Sequence, residues 1–329
     1  MKTFCAGAKG AGLAVLCSIL SAGASVSVQR HPQDIQISID GQPFTTYYLD
    51  PAVAKPYLMP LRSASGIVVT RGFPVKNDVS KGNPKASSFE PHQRPLYFAH
   101  GNLDGLDFWA EPLFDKYYSD HAHQAYGHMV LKSVDEAKSD GDKATLRAQF
   151  TLNDPNNRVI GEETQSFIFH GDEKTRYIDC EFVLRAKEGP LDIGDTKEGT
   201  FAIRLAPELS APNDHMLNSN GATGEKAIWG KRADWVDYSG TMAGKRVDVA
   251  IFDSPESFRH PTTWHARAYG LFAANPFGLR EFTKDPKQDG SWTIPERNTA
   301  TFRYRVMIHE GEFQAAEIAA AYAHYASEK

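Results

Sequence analysis

The sequence predicts an all-β protein of stacked antiparallel sheets with a C-terminal helix. Apolar and polar residues alternate with period two from one end of the chain to the other, and Gly, Pro, Asn and Asp punctuate the runs. Only one segment has helical spacing free of breakers. So many short strands overfill a single open sheet, and two stacked sheets bury them best.

The chain opens on Met1-Lys2-Thr3 and Lys9, followed by an apolar stretch over 11–24 that closes on Ala22-Gly23-Ala24. A short basic start, a brief apolar run and a small-x-small ending read as a secretory leader removed after about Ala24; the run is too short to span a bilayer. Leu16 before Cys17 does not suit a lipoprotein. Residues 25–329 are then expected to form one domain of a periplasmic or secreted protein, with no membrane association after leader removal.

Within that domain Ile35, Ile37 and Ile39 alternate with polar residues up to the turn pair Asp40-Gly41. Leu146, Ala148, Phe150 and Leu152 do the same before Asn153-Asp154-Pro155. Phe201, Ile203 and Leu205 mark a further strand. Val247, Val249 and Ile251 mark another, and Phe302, Tyr304, Val306 and Ile308 the last. The Ala-rich segment 312–329 is the helix, expected against a sheet edge or face.

Formal net charge is −5 and no basic tract stands out, so nucleic acid is not an expected partner. Cys5 and Cys17 leave with the leader, which excludes an internal disulfide. Cys180 alternates with Ile178, Phe182 and Leu184 and reads as a small buried hydrophobe rather than a nucleophile.

The densest chemistry lies in HPTTWHARAYGLFAANPFG, residues 260–278. Read as one extended strand, it puts His265, Arg267 and Tyr269 on one face and Trp264, Ala266, Ala268 and Gly270 on the other. A histidine, a fixed cation and a phenol in register suit a polyhydroxylated or anionic ligand. Arg62, Arg71, Glu90, His92, Arg94 and His100 cluster over 60–101, where Pro95 favours a loop or edge. DFWAE (107–111), His128, and Asp195, Lys197, Glu198 and Arg204 complete the unusual polar set. His121-Ala122-His123 with His128 matches no strong metal signature. There is no Gly-x-Ser-x-Gly elbow, dinucleotide fingerprint or phosphate loop, and no metal or other cofactor is expected.

The series PLRSASGIVVTRGFP (60–74), PHQRPLYFAHG (91–101), DFW (107–109), DTKEG (195–199) and residues 260–278 resembles the bacterial family labelled "methane oxygenase PmoA". The resemblance spans roughly 40–310. It implies a β-supersandwich of the galactose-mutarotase-like kind and carbohydrate work. Before the Leu-Tyr-Phe-Ala-His-Gly stretch the family pattern resembles Asp-His-Pro-His-His-Arg-Gly. Here His92 and Arg94 remain, while Glu90 and Gln93 stand where histidines are usual. The expected protein binds and processes a sugar or oligosaccharide in a concave pocket. His92, His100, His128, Glu198 and His265 are the candidate acid–base groups, of epimerase, lyase or hydrolase type. Arg94, Trp109, Trp264, Arg267 and Tyr269 are the candidate sugar contacts. The alternatives are a non-catalytic glycan-binding module and a metal-dependent oxidoreductase. The two segments, near 92–100 and near 265–267, are expected to meet.

Overall fold

A computed structural model describes residues 24–73, 90, 92–112, 125–210 and 215–328. Residues 1–23, which hold nearly all of the expected leader, and the His121/His123 pair lie outside them.

The first sheet joins eight strands. In spatial order they are β1 (Val26–Arg30), β2 (Asp34–Ile39), β3 (Gln42–Tyr48), β4 (Tyr57–Met59), β5 (Leu96–His100), β11 (Gly199–Arg204), β16 (Leu271–Ala274) and β15 (Trp264–Ala266). The second sheet also has eight: β12 (His215–Asn218), β13 (Trp235–Met242), β14 (Lys245–Asp253), β18 (Thr299–Glu310), β9 (Thr175–Ala186), β8 (Val159–Gly171), β7 (Lys143–Asn153) and β6 (His128–Asp140). A small ribbon pairs β10 (Leu191–Ile193) with β17 (Trp292–Ile294). The ladders between these named strands are antiparallel.

Alternation does what the sequence implied. Ile35, Ile37 and Ile39 are buried, and the β2–β3 hairpin turns through Asp40 and Gly41, both with positive φ. The sheets meet through aromatic rings: Phe98 stacks on Phe182 at 4.3 Å, Phe201 on Tyr304 at 4.7 Å, and Tyr47 meets Phe167 edge-on at 5.3 Å. Cys180 is buried and free, and burial pushes its thiol well up.

Among the described residues, α1 (Glu225–Ile228) lies between β12 and β13, α2 (Leu279–Thr283) between β16 and β17, and α3 (Ala315–Ser327) after β18. Gln314 caps α3 in a capping box with Glu317. The helix lies on the outer face of the second sheet, where Ile318 joins Trp235, Ala250, Phe252 and Met307. No helix among the described residues is long and apolar enough to cross a membrane.

The segment 260–278 departs from one extended run. β15 stops at Ala266, Gly270 takes φ +88°, and its N–H bonds the Arg267 carbonyl at 2.9 Å. A tight turn therefore returns the chain into β16, because only glycine occupies that backbone region without strain.

Candidate functional site

Register decides which polar residues share a face. Tyr97, Ala202, Ala273 and His265 form one row across β5, β11, β16 and β15. The neighbouring row, Phe98, Phe201, Ala274 and Trp264, points into the core between the sheets. Tyr97 and His265 thus lie on the outer face of the first sheet, three strand spacings or about 14 Å apart. The two alanines between them keep the floor low.

Alternation places two of the sequence-predicted residues on the opposite side. Trp264 is fully buried in the core, with Nε1 donating to the Ala233 carbonyl at 2.9 Å. It is a core residue and no sugar platform. His100 shares the side of Phe98; its Nε2 lies 2.8 Å from the Gly194 carbonyl and its ring meets Phe277. A Cβ at Gly199 would sit 2.4 Å from His100 Nδ1, so the close-packed imidazole explains the glycine of the DTKEG motif. Burial lowers the His100 pKa to about 4. A neutral, enclosed imidazole on the core side makes His100 a structural residue.

The loop before β5 lies over the outer face. Arg71 Nη2 donates to the Glu90 and Gln93 carbonyls at 2.7 and 3.2 Å, and Arg94 Nη1 to the His92 carbonyl at 3.3 Å. These arginines hold the loop backbone. Arg94 is 1% exposed, pairs with Glu111 at 2.5 Å, and lies 3.5 Å over the Phe73 ring. Lys55, wholly buried, stands 3.7 Å from the same carboxylate and donates to the Trp109 carbonyl. Burial lowers Lys55 to about 8, against the pull of Glu111. Asp107, accepting from the Trp109 and Ala110 N–H groups at 2.8 Å, is raised to about 6 by burial. Trp109 packs against Tyr97 with centroids 4.9 Å apart. This buried ionic cluster closes one end of the face. Beyond it Arg94 and Glu111 border a cavity of about 790 Å³ that also takes in Tyr126 and His128. His128 Nε2 is 3.0 Å from Asn157 Oδ1.

Glu198 is the electrostatic centre of the face. After burial, its charge is the next cause that lifts Glu90, to about 7, and that raises Tyr97. It adds to the rise of Tyr269 to about 12, for which burial and Glu90 come first. His265 goes the other way: burial lowers its pKa and Glu198 opposes the fall. His92, 3.6 Å from Glu90, is held well below the usual range by burial and by the cations Lys55, Arg94, Arg71 and Arg204. Glu198 itself is partly exposed and pairs with Lys197 at 3.3 Å. Tyr269, also partly exposed, carries the Arg204 guanidinium 4.6 Å over its ring. Arg267 Nε donates to Glu225 at 2.9 Å, and the guanidinium lies 5.3 Å from the Tyr269 centroid.

Several buried polar atoms around this face have no partner: Tyr97 Oη, Trp109 Nε1, Gln93 Oε1, His265 Nε2 and Trp229 Nε1. His265 Nδ1 is engaged by the Lys197 carbonyl at 2.8 Å, which leaves Nε2 as the free ring atom. Each unmade bond costs about 1–3 kcal/mol, so these atoms are the ones on this face open to a further hydrogen-bonding partner.

Sequence reading passed over Lys55 and Tyr97, and it noted Gln93 and the DFWAE stretch ending in Glu111 without giving either residue a role. Lys55 carried a signal: it is a lone charge between Ala54 and Pro56 in an otherwise apolar stretch. Tyr97 carried none, because Leu96-Tyr97-Phe98 reads as an ordinary core strand. No group of three or more His, Cys, Asp or Glu among the described residues is arranged to hold a metal ion.

The architecture defines a mostly-β protein of two stacked antiparallel sheets with a polar outer face on one of them. The chain belongs to the family described as "Family of unknown function (DUF6807)", which matches residues 34–323. The motifs quoted above are all that supports the resemblance to the family labelled methane oxygenase PmoA. No curated protein matches the sequence. Among solved structures, a galactose mutarotase-like protein from Clostridium acetobutylicum is similar at 11% identity and TM-score 0.37, covering 87% of this chain and 99% of that one. A galactose 1-epimerase from Lactobacillus acidophilus is similar at 8% identity and TM-score 0.37, covering 89% and 100%. A GH36 α-galactosidase from Geobacillus stearothermophilus is similar at 9% identity and TM-score 0.36, covering 87% of this chain. The chain spans 40% of that α-galactosidase and 25% of a putative kojibiose phosphorylase from human microbiome.

Proposed function

We propose that the outer face of the first sheet binds a sugar or oligosaccharide and that Glu90 and Glu198 exchange protons with it. The cluster of unpartnered buried polar atoms, Tyr97 Oη, Trp109 Nε1, Gln93 Oε1 and His265 Nε2, carries this reading. Sugar hydroxyls donate and accept at once, which suits a mixed set of donors and acceptors beside aromatic rings. Glu90, raised to about 7, keeps a proton to give near neutrality. Glu198, solvent-accessible and beside Lys197, is the group placed to take one. A carboxyl that burial keeps protonated, set near a second, partly exposed carboxyl, suits acid–base work at a sugar carbon, as in epimerase, lyase or hydrolase chemistry. His265 contributes a neutral imidazole whose Nε2 meets a hydroxyl.

A panel of mono- and oligosaccharides screened by ligand-observed NMR, with product analysis, tests this reading. Wild type should bind at least one sugar and convert it. Glu198→Gln should retain binding and lose turnover. The absence of any sugar signal with folded wild-type protein would sink the reading. Binding without turnover is the second reading, favoured because Arg94 is spent on Glu111 and the loop backbone. We further infer that the protein is exported. Mature protein from its native host should begin near Ser25, and an intact Met1 terminus refutes that.

A further inference from the structure

A second polar cavity lies on the outer face of the second sheet and reaches across to Glu225 and Ala268. There α3 covers an apolar row, but at the start of the helix the row gives way to acid. Asp237 and Ser239 of β13 and Asp248 of β14 point to that same face, with Ser239 directly opposite Asp248 in the ladder. They line a cavity of about 490 Å³ that Phe313 and Ile318 close with apolar surface.

Asp237 and Asp248 are 2% and 1% exposed. Asp237 Oδ1 and both oxygens of Asp248 are buried without a hydrogen-bond partner. Ser239 and Arg246 both approach Asp248 and pull its pKa down, but the Ser239 hydroxyl also accepts from Arg246 Nη2 at 2.5 Å and reaches the His215 carbonyl at 3.5 Å. Arg246 remains 3.7 Å from Asp248 Oδ1. Glu225, which also lines the cavity, is already used by Arg267 and by the Ala268 N–H, and Glu312, outside the lining, adds a further negative field at Asp248. The first turn of α3 is electropositive, yet its own Glu317 accepts the Gln314 N–H in the capping box. Two buried carboxyl groups therefore face one guanidinium, which matches a single negative charge and leaves the second group to a proton or a cationic ligand.

We propose that this cavity binds a small organic monocation, an ammonium group on a short apolar body. Carboxylates this deeply buried cost several kcal/mol unless paired, and a donor-only cation supplies the pairing they lack. The apolar walls and the Phe313 ring suit the body of such a ligand rather than a bare ion, since hard metal ions want six or more oxygen ligands. Without its ligand the pair answers by holding a proton: burial, then Asp248, keeps Asp237 well above the usual carboxylate range, and burial raises Asp248 to about 6.

Isothermal titration of the full chain with benzylammonium chloride, benzyl alcohol and calcium chloride tests the assignment. Benzylammonium should bind one-to-one, and benzyl alcohol, the same shape without charge, about tenfold or more weakly. Asp237→Asn, which keeps the side-chain shape, should lose about tenfold or more for benzylammonium. Equal affinity for amine and alcohol, no binding of the amine to wild type, or unchanged affinity in a folded Asp237→Asn protein overturns the proposal. Calcium binding that displaces benzylammonium also overturns it, in favour of a metal site.

Discussion

Glu163 offers the sharpest physical test of the core. It lies in β8, is 2% exposed, and accepts from Gln165 Nε2 at 2.6 Å; Gln165 in turn accepts from Tyr47 Oη at 2.8 Å. Burial raises its pKa from the ordinary 4.5 to about 8, with no cation nearby to offset it. The folded chain therefore holds this proton more tightly than the unfolded chain. The stability it confers is complete below pH 4.5 and is lost as pH rises through 8. At about 1.36 kcal/mol per pH unit, the loss between pH 4 and pH 8 is about 4 kcal/mol. Glu163→Gln keeps the acceptor for Gln165 and removes the titration. Urea unfolding of both proteins at pH 4 and pH 8 isolates the effect, because other titrating groups cancel in the difference. The variant should match wild type at pH 4 and exceed it by about 4 kcal/mol at pH 8. A difference that changes by less than about 1 kcal/mol across that range refutes the assignment of a buried, protonated carboxyl.

Glu111→Ala should destabilise the protein by about 3–5 kcal/mol, because Lys55 and Arg94 would be left buried without their shared carboxylate; a denaturant midpoint close to wild type contradicts that. Glu198→Gln removes a neighbouring negative charge and should shift the Glu90 titration below its value near 7, read by carbon-detected NMR of the side-chain carboxyl. An unmoved titration means that burial alone sets it. Glu317→Ala breaks the α3 capping box and should cost about 1 kcal/mol, with early loss of helix signal on heating. Identical melting of the two proteins counts against a helix end that depends on this cap.

The difference between what was legible in the sequence and what was not follows from the range of the forces involved. Period-two alternation is local, so the strands of Ile35–Ile39, Leu146–Leu152 and Phe302–Ile308 could be read directly, as could the α3 helix. Face assignment failed where a turn interrupted the count. Treating 260–278 as one strand extended a single face to Arg267 and Tyr269, whereas Gly270 folds the segment back and leaves only His265 on the outer row. His100 failed for a related reason: a histidine next to a polar loop reads as catalytic, yet its parity with Phe98 turns it to the core side. Ion pairing between Arg94 and Glu111 and the hydrogen bond between Gln165 and Glu163 illustrate the rest. The first is a long-range contact that no local pattern announces. The second is local, two residues apart on one strand face, but burial decides its meaning.

That distinction bears on how the candidate site should be judged. A charged residue picked out by sequence alone can be structural for reasons the sequence does not contain, and Arg94 is such a case, buried against Glu111 and Phe73. An unpartnered buried atom is not by itself functional either, since His100 Nδ1 on the core side and Tyr304 Oη share that state. Tyr97 Oη and His265 Nε2 incur a cost that the fold could have avoided with Phe and Leu at little loss of packing. Tyr97→Phe therefore separates the two explanations. If the hydroxyl serves only the fold, the variant loses stability and keeps ligand affinity. If it serves a guest, the variant is as stable as wild type or about 1 kcal/mol more so, and sugar affinity falls by about fivefold or more. Lower stability with unchanged affinity would remove Tyr97 from the site.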